Sequence, residues 1–227
     1  NLAIITVPAD VDAVIRSNII AMNPAEPKCW LSTETYEGFA YTTAAGISGA
    51  SIILPFKSTS AKSLYAVMQL DTQKLATTAT SIGSYIRAGL DYYRWNYGGN
   101  YIPNKDIHCG NNGQYVEAYA ELLNAMMAMS NPSSAVGLSP GNYTMNAHAP
   151  VANQYGQAFF AIGQNLESFS TRAGGLVSGL NIWSQQLQSD LTFSAAIGAV
   201  PLNIIYFMHA DFALVIDLAS GLCERKK

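Results

Sequence analysis

Charge is what this 227-residue chain has least of. Asp, Glu, Lys and Arg together make up 12% of it, with 12 basic against 15 acidic residues and a formal net charge of -3, where an average soluble domain carries about 25% charged residues. Such a chain has no basic field with which to neutralise a phosphate backbone, which argues against direct nucleic-acid binding. Its one basic cluster is the terminal Arg225-Lys226-Lys227. Cysteine is scarce as well. Cys29, Cys109 and Cys223 form no CxxC or CxxH pair, which argues against zinc. Their odd number argues against a pure disulfide framework, so a reducing compartment is the expectation.

Also missing are the short signatures of phosphate chemistry and of nucleophilic catalysis. There is no GxSxG, no GxxxxGK[ST] and no GxGxxG after a strand, and AAGISGAS at 44–51 reads as a small-residue loop ahead of a strand. The opening NLAIITVPAD is broken by proline and aspartate within ten residues, so it lacks the form of a secretory leader and resembles a strand entered midway. The longest apolar run, Leu202 to Gly221, contains Asn203, His209, Asp211 and Asp217. A membrane-spanning helix needs about 20 predominantly apolar residues, so no span is expected there.

What the chain does have is a succession of short β-branched and aromatic runs. The segments 202–208 and 212–216 read as two strands joined by a bend at His209–Asp211, with a turn over Asp217–Gly221. Runs at 50–57 and 63–70 flank the polar loop Ser58–Lys62, and LDYYRWNYGGNYIP at 90–103 is a hairpin about Gly98-Gly99-Asn100. Further strands are predicted near 28–36, 142–147, 157–163 and 189–197. Pro55, Pro103, Pro150 and Pro201 are expected at strand ends or edges, where no ladder donor is required.

One long helix interrupts the strands, over 113–129. Its predicted buried stripe is Tyr115, Tyr119, Leu122, Met126 and Met129, flanked by Val116 and Leu123, with Glu117, Glu121 and Asn124 opposite. Asn111 or Asn112 would cap it and Asn131-Pro132 would stop it. A shorter helix is expected at 8–17, with Val11, Val14 and Ile15 as its apolar stripe. Many strands around one helical insertion make an all-β sandwich the expected class, ahead of an alternating α/β fold.

The groups able to carry chemistry are sparse. His108, His148 and His209 share no metal-ligand spacing, so neither a metal nor any other cofactor is expected. Asp211 and Asp217 flank an apolar run, where turn carboxylates bonding to backbone are commoner than a catalytic pair. The helix methionines Met126, Met127 and Met129 read as packing residues. Asn142-Tyr143-Thr144 has the form of a glycosylation acceptor, which matters only in a secreted chain. Tyr92, Tyr93, Trp95, Tyr97 and Tyr101 in the hairpin fit two readings: packing inside a sandwich or at a subunit contact, and stacking on sugars.

Four stretches, in order, carry a resemblance. AIITVPADVDAVIRS is similar to a last strand running into a short helix. CWLSTETYEGFAYTTAAG with SIILPFKSTSAKSLYAVMQ carries Pro55, Lys57, Ser60, Lys62, Ser63, Leu64 and Tyr65 of a P-(K/R)-x-x-S-x-K-S-L-(F/Y) connection. DYYRWNYGGNYIPNKDI supplies Gly99, Tyr101 and Pro103. The final run has Leu166-Glu167, Gly179-Leu180-Asn181 and PLNIIYFMHADFALVIDLASG. Together they resemble the double-jelly-roll major capsid proteins of icosahedral DNA viruses, particularly the polinton-like, virophage and adintovirus group. Members of that family hold two tandem jelly rolls, so the resemblance implies the end of a first jelly roll and linker helix at 1–27 and a C-terminal jelly roll at 28–227, in a fragment, processed product or split subunit.

The resemblance further implies an antiparallel jelly-roll β-sandwich with one long helical insertion. It implies a non-catalytic virion subunit that forms homotrimeric pseudo-hexagonal capsomers, with or without a separate first-jelly-roll chain, and that meets penton and minor capsid proteins. Catalytic, cofactor-binding and metal residues are none on this reading, and the interaction residues stay unassigned. Assembly would take place in the host cytoplasm or nucleus. Two other classes remain open: a β-sandwich carbohydrate- or receptor-binding module, with the Tyr92–Tyr101 aromatics facing solvent, and an enzyme in which His209, Asp211 or Glu167 converge in a pocket.

Overall fold

Nine strands and one helix account for most of the residues that the computed structural model describes, which are 13–14, 17–18, 20–21, 28–73, 85–109, 115–126, 143, 160–167, 179–194, 201–217 and 222–226. The strands are β1 (Lys28–Thr42), β2 (Gly49–Leu54), β3 (Ala61–Leu70), β4 (Leu90–Tyr97), β5 (Asn100–His108), β6 (Ala161–Asn165), β7 (Leu187–Phe193), β8 (Leu202–Asp217) and β9 (Cys223–Lys226). The helix α1 spans Tyr115–Ala125 between β5 and β6. Contacts divide the chain into two units, Tyr36–Ala210 on the one hand and Asn1–Thr35 with Asp211–Lys227 on the other.

The larger unit is built from two sheets. One has the order β1-β8-β3-β6, and the other β2-β7-β4-β5. These orders have a simple origin: β1 neighbours β8, β2 neighbours β7, β3 neighbours β6 and β4 neighbours β5. The chain is therefore one long two-stranded ribbon, doubled back at the β4–β5 turn and rolled so that successive pairs fall alternately in the two sheets. That wrapped ribbon is a jelly roll, as expected. The turn sits on Gly98 and Gly99, both at positive φ, where a side chain would be strained.

Alternation decides which side chains face inward. Leu64, Ala66 and Met68 of β3 stand opposite Met208, Tyr206 and Ile204 of β8, and Ile52 and Leu54 of β2 join Leu187, Leu191 and Phe193 of β7 in the same core. Tyr93 and Trp95 are buried on β4 as well. Trp95 meets Tyr206 of the facing sheet edge-on, with ring centroids 6.0 Å apart.

Rolling the ribbon gathers its connections at two ends. At one end the loop after β2, the β4–β5 turn and the segment before β7 are joined backbone to backbone: Ile182 N donates to Ser58 O (2.8 Å), Leu180 N to Ala61 O (2.8 Å) and Gly98 N to Gln186 O (3.1 Å). At the other end Thr43 N donates to Leu202 O, Phe193 N to Ser48 O and Phe160 N to Tyr85 O. These bonds satisfy polar backbone that the strands leave behind.

Two expectations change. The bend at His209–Asp211 is absent, and β8 runs unbroken for 16 residues. Extended backbone continues there because His209 stacks on Tyr36 and Ala210 pairs with Ala61 of β3. The helix stripe is rotated: Ala118, Leu122 and Ala125 are buried, while Met126 and Val116 are exposed. Close approach explains this, since a Cβ on Gly163 of β6 would lie 3.0–3.2 Å from Leu122 and Ala125, so the helix presents to the strand the face that the bare glycine admits. Pro103 lies on β5, an edge strand, as expected, and costs no ladder bond.

Residues 13–14, 17–18 and 20–21 are helical, with Val14 exposed. The predicted strand at 142–147, the caps at 111–112 and 131–132, and Met127, Met129, His148 and Pro150 lie outside the described residues, Tyr143 excepted, which is helical and buried.

Within the smaller unit the end of β8 pairs with β9, from Ala213↔Lys226 to Ile216↔Cys223. The Asp217 amide donates to Leu222 O at 2.8 Å, while residues 218–221 of the predicted turn lie outside the described residues.

Candidate interaction surfaces

The outward faces of the two sheets differ in kind. On the β2-β7-β4-β5 sheet, Ser51 Oγ and Gln188 Nε2 donate to Asp190 Oδ1 at 2.6 and 2.7 Å. Arg94 lies between Asp190 (3.7 Å) and Asp106 (3.4 Å), with its guanidinium 4.1 Å from the centre of the Tyr101 ring. That face is a laced polar surface, and such half-exposed ion pairs are each worth little.

The outward face of the β1-β8-β3-β6 sheet carries aromatics instead. Tyr36 stacks on His209 at 4.6 Å with the rings nearly parallel, and Tyr65 stands opposite Phe207 across β3 and β8. Tyr36, Tyr65, Phe207 and Met126 line an open apolar pocket of about 330 Å³. The Tyr65 hydroxyl accepts from Ser63 Oγ (2.9 Å) and donates to Ala125 O (2.6 Å), fastening the end of α1 to β3. Burial pushes the Tyr65 phenol up from its ordinary value, with Ser63 opposing.

Between β6 and β5, α1 brings two acids together. Glu117 pairs with Lys105. Glu121 accepts from Gln164 Nε2 at 3.5 Å, and burial followed by the neighbouring Glu117 raises its carboxyl above the usual range. At the loop end Trp183 is 52% exposed. Its amide donates to Asn181 Oδ1 (3.0 Å), and Asn181 O accepts from the Tyr97 hydroxyl.

The residues weighed for chemistry are dispersed. His108 is exposed on β5 beside Tyr92, with rings 5.7 Å apart. Buried His209 is engaged with Tyr36, and Glu167 is ion-paired with Lys62 at 3.4 Å with both side chains largely buried. Asp211 is buried on β8, Asp217 is half-buried, and neither they nor His209 or Glu167 line the apolar pocket. Among the described residues no group of three His, Cys, Asp or Glu side chains gathers as a metal site, and no helix is long and apolar enough to cross a membrane.

The hairpin aromatics divide. Tyr93 and Trp95 are core, Tyr92 and Tyr97 are half-buried, and Tyr101 is taken up by Arg94. Met126, read as packing, is instead exposed on the pocket rim. Sequence reasoning missed Tyr36 and Trp183 as surface aromatics. An aromatic alone among Asn, Ser and Gln, as in LNIWSQQ, is the signal that marks Trp183.

No family model matches the chain, and no curated protein matches it. Solved structures do. A chain in the cryo-EM structure of the Sputnik virophage superposes with a TM-score of 0.50 at 10% identity, covering 88% of this chain and 39% of that one. The PBCV-1 VP54 structure fitted into a reconstruction of Sputnik gives 0.46 at 13% identity, with 88% and 52% covered. The mavirus major capsid protein gives 0.43 at 9% identity, with 91% and 43% covered. The chain thus spans well under two thirds of each. Its antiparallel jelly-roll sandwich is the fold it shares with the Sputnik virophage chain.

Proposed function

We propose that the chain is a structural virion protein, a piece of a double-jelly-roll major capsid protein that works by being tiled and has no catalytic step. The observation that carries this reading is the rolled-ribbon strand order, which underlies the likeness to a chain of the Sputnik virophage over 88% of this sequence. On this reading residues 28–227 are the C-terminal jelly roll, and residues 1–27 the end of a preceding one with its linker helix. Three double units would form a pseudo-hexagonal capsomer within the shell, in contact with penton and minor capsid proteins. The low charge supports it, since few ions must lose water when such surfaces meet.

Size-exclusion chromatography with light scattering tests the proposal, on the chain alone and co-expressed with a first-jelly-roll partner. Trimers or closed particles are the expected result. A monomer under both conditions that is retained on a glycan array overturns it in favour of a carbohydrate-binding sandwich.

A further inference from the structure

One exposed side chain and one hollow of the larger unit fit each other in size and in chemistry. The side chain is Trp183, 52% exposed on the segment between β6 and β7. A lone apolar residue at a surface needs no explanation, but this one is held out on a fixed backbone. Leu180 and Ala61 exchange both backbone hydrogen bonds at 2.8 Å, Ile182 N donates to Ser58 O at 2.8 Å, and the Ile182 side chain is fully buried. Asn181 ties the next step, its Oδ1 accepting from the Trp183 amide at 3.0 Å and its O accepting from the Tyr97 hydroxyl. Little chain freedom is left to lose when the indole is covered, as befits a pre-organised anchor.

The hollow is the apolar pocket on the outward face of the β1-β8-β3-β6 sheet, lined by the rings of Tyr36, Tyr65 and Phe207 and by Met126. Its walls are fixed as well. Tyr36 is stacked on His209, the Phe207 ring lies beside Gly38, and the Tyr65 hydroxyl is committed to Ser63 and Ala125. Its volume of about 330 Å³ stands at the bottom of the ~300–1,000 Å³ range of small-molecule sites and gives room for one large side chain. Ring faces and a thioether suit an indole, which gains from edge-on aromatic and sulfur–aromatic contacts besides its burial. A sugar would need convergent polar groups, and the Tyr65 hydroxyl is already used.

Trp183 does not line the pocket of its own chain. We infer that Trp183 of one copy seats in the Tyr36–Tyr65–Met126–Phe207 pocket of the next. The inference rests on the reading of the chain as a tiled subunit and names a contact by which it is tiled. Knob and hollow are different surfaces, so the contact is heterologous: each copy gives and receives, and the series either closes into a ring or runs on through a lattice. Covering the outward face of the other sheet would instead strip water from Arg94, Asp106 and Asp190.

Light scattering on the chain alone is the test, because a contact between copies needs no other protein. The wild-type chain is expected to associate into rings or larger particles. Trp183→Ala and Met126→Glu each remove one half of the contact at an exposed position, and each should run as a monomer with a cooperative thermal transition. Mixed one to one they should form dimers and stop there, since only the Trp183 of the second variant and the pocket of the first remain to meet. Met126→Leu keeps an apolar rim and should associate as the wild type does. Single variants that stay associated, or that stay monomeric when mixed, overturn the inference. A wild-type chain that is monomeric alone but assembles with a first-jelly-roll partner also overturns it and leaves the proposed function standing, whereas a monomer under both conditions removes both. Where a variant loses its cooperative transition, wild-type tryptophan emission decides: it should shift to the blue with rising concentration as Trp183 is covered, and emission independent of concentration overturns the contact.

Discussion

At the scale of single residues, burial has separated side chains that look alike in the sequence. Cys109 is fully buried beside Arg87, and burial pushes its thiol up to about 12, with Arg87 opposing. Against an ordinary thiol near 9 that is about a thousandfold less thiolate at mildly alkaline pH. Cys223 is exposed on β9. Titration with a chromogenic disulfide reagent should therefore modify Cys223 at once and Cys109 only on addition of denaturant. Fast labelling of Cys109 in the native chain would contradict the burial. Nothing in the spacing of the three cysteines distinguishes them, because accessibility is settled by segments far apart in the chain. The same limit applies to Met126 and Tyr36, whose exposure depends on how α1 and β1 meet the sheet rather than on their own neighbours.

At the scale of elements, the docking of α1 on β6 is the most sensitive joint. Gly163→Ala would push a methyl to 3.0–3.2 Å from Leu122 and Ala125, and a cost of about 1–3 kcal/mol is expected in chemical denaturation. An unchanged midpoint would show that the helix yields. Glu121 sets a pH dependence at the same joint. Its folded pKa is raised, by burial and then by Glu117, with Lys105 and the Gln164 amide opposing. A carboxyl raised on folding binds its proton more tightly in the folded state, so stability grows as pH falls from the raised value towards the ordinary one of 4.5 and is lost again as pH rises. Glu121→Gln should hence gain a few tenths of a kcal/mol near pH 7, the size expected of a part-exposed group. That gain should vanish below about pH 4, where the glutamate is neutral in both states. Denaturation midpoints at both pH values check the sign. The existence of α1 and of most strands was legible, since their periodicities are local. Its stripe was not, because a glycine on a strand about 40 residues away selects the face. In β8 the stretch His209-Ala210-Asp211, with two polar side chains, imitates a turn, and pairing with β3 and stacking on Tyr36 keep it straight.

At the scale of the molecule, strand order matters more than any single contact. β8 lies between β1 and β3, so it supplies a partner to both. Removal of residues 202–227 leaves β1 without a ladder and β3 paired with β6 alone, and takes Tyr206, Met208 and Ile204 from the core. The truncated chain is expected to lose dispersed amide resonances and cooperative thermal unfolding, and a retained transition would refute the central role of β8. The sandwich class could be read from turn-bounded runs. The pairing of first with eighth strand could not, because periodicity along a chain carries no record of which distant strand lies alongside, and only the ordered family likeness pointed to it.

The position of β8 also bears on how the chain is made. During synthesis β1 and β3 both emerge before β8, so both flanks of that slot stand open while some 130 residues between β3 and β8 leave the ribosome. Until then the nascent chain presents unpaired edges to its neighbours. Productive folding thus calls for a holding chaperone, or for dilution, during that interval.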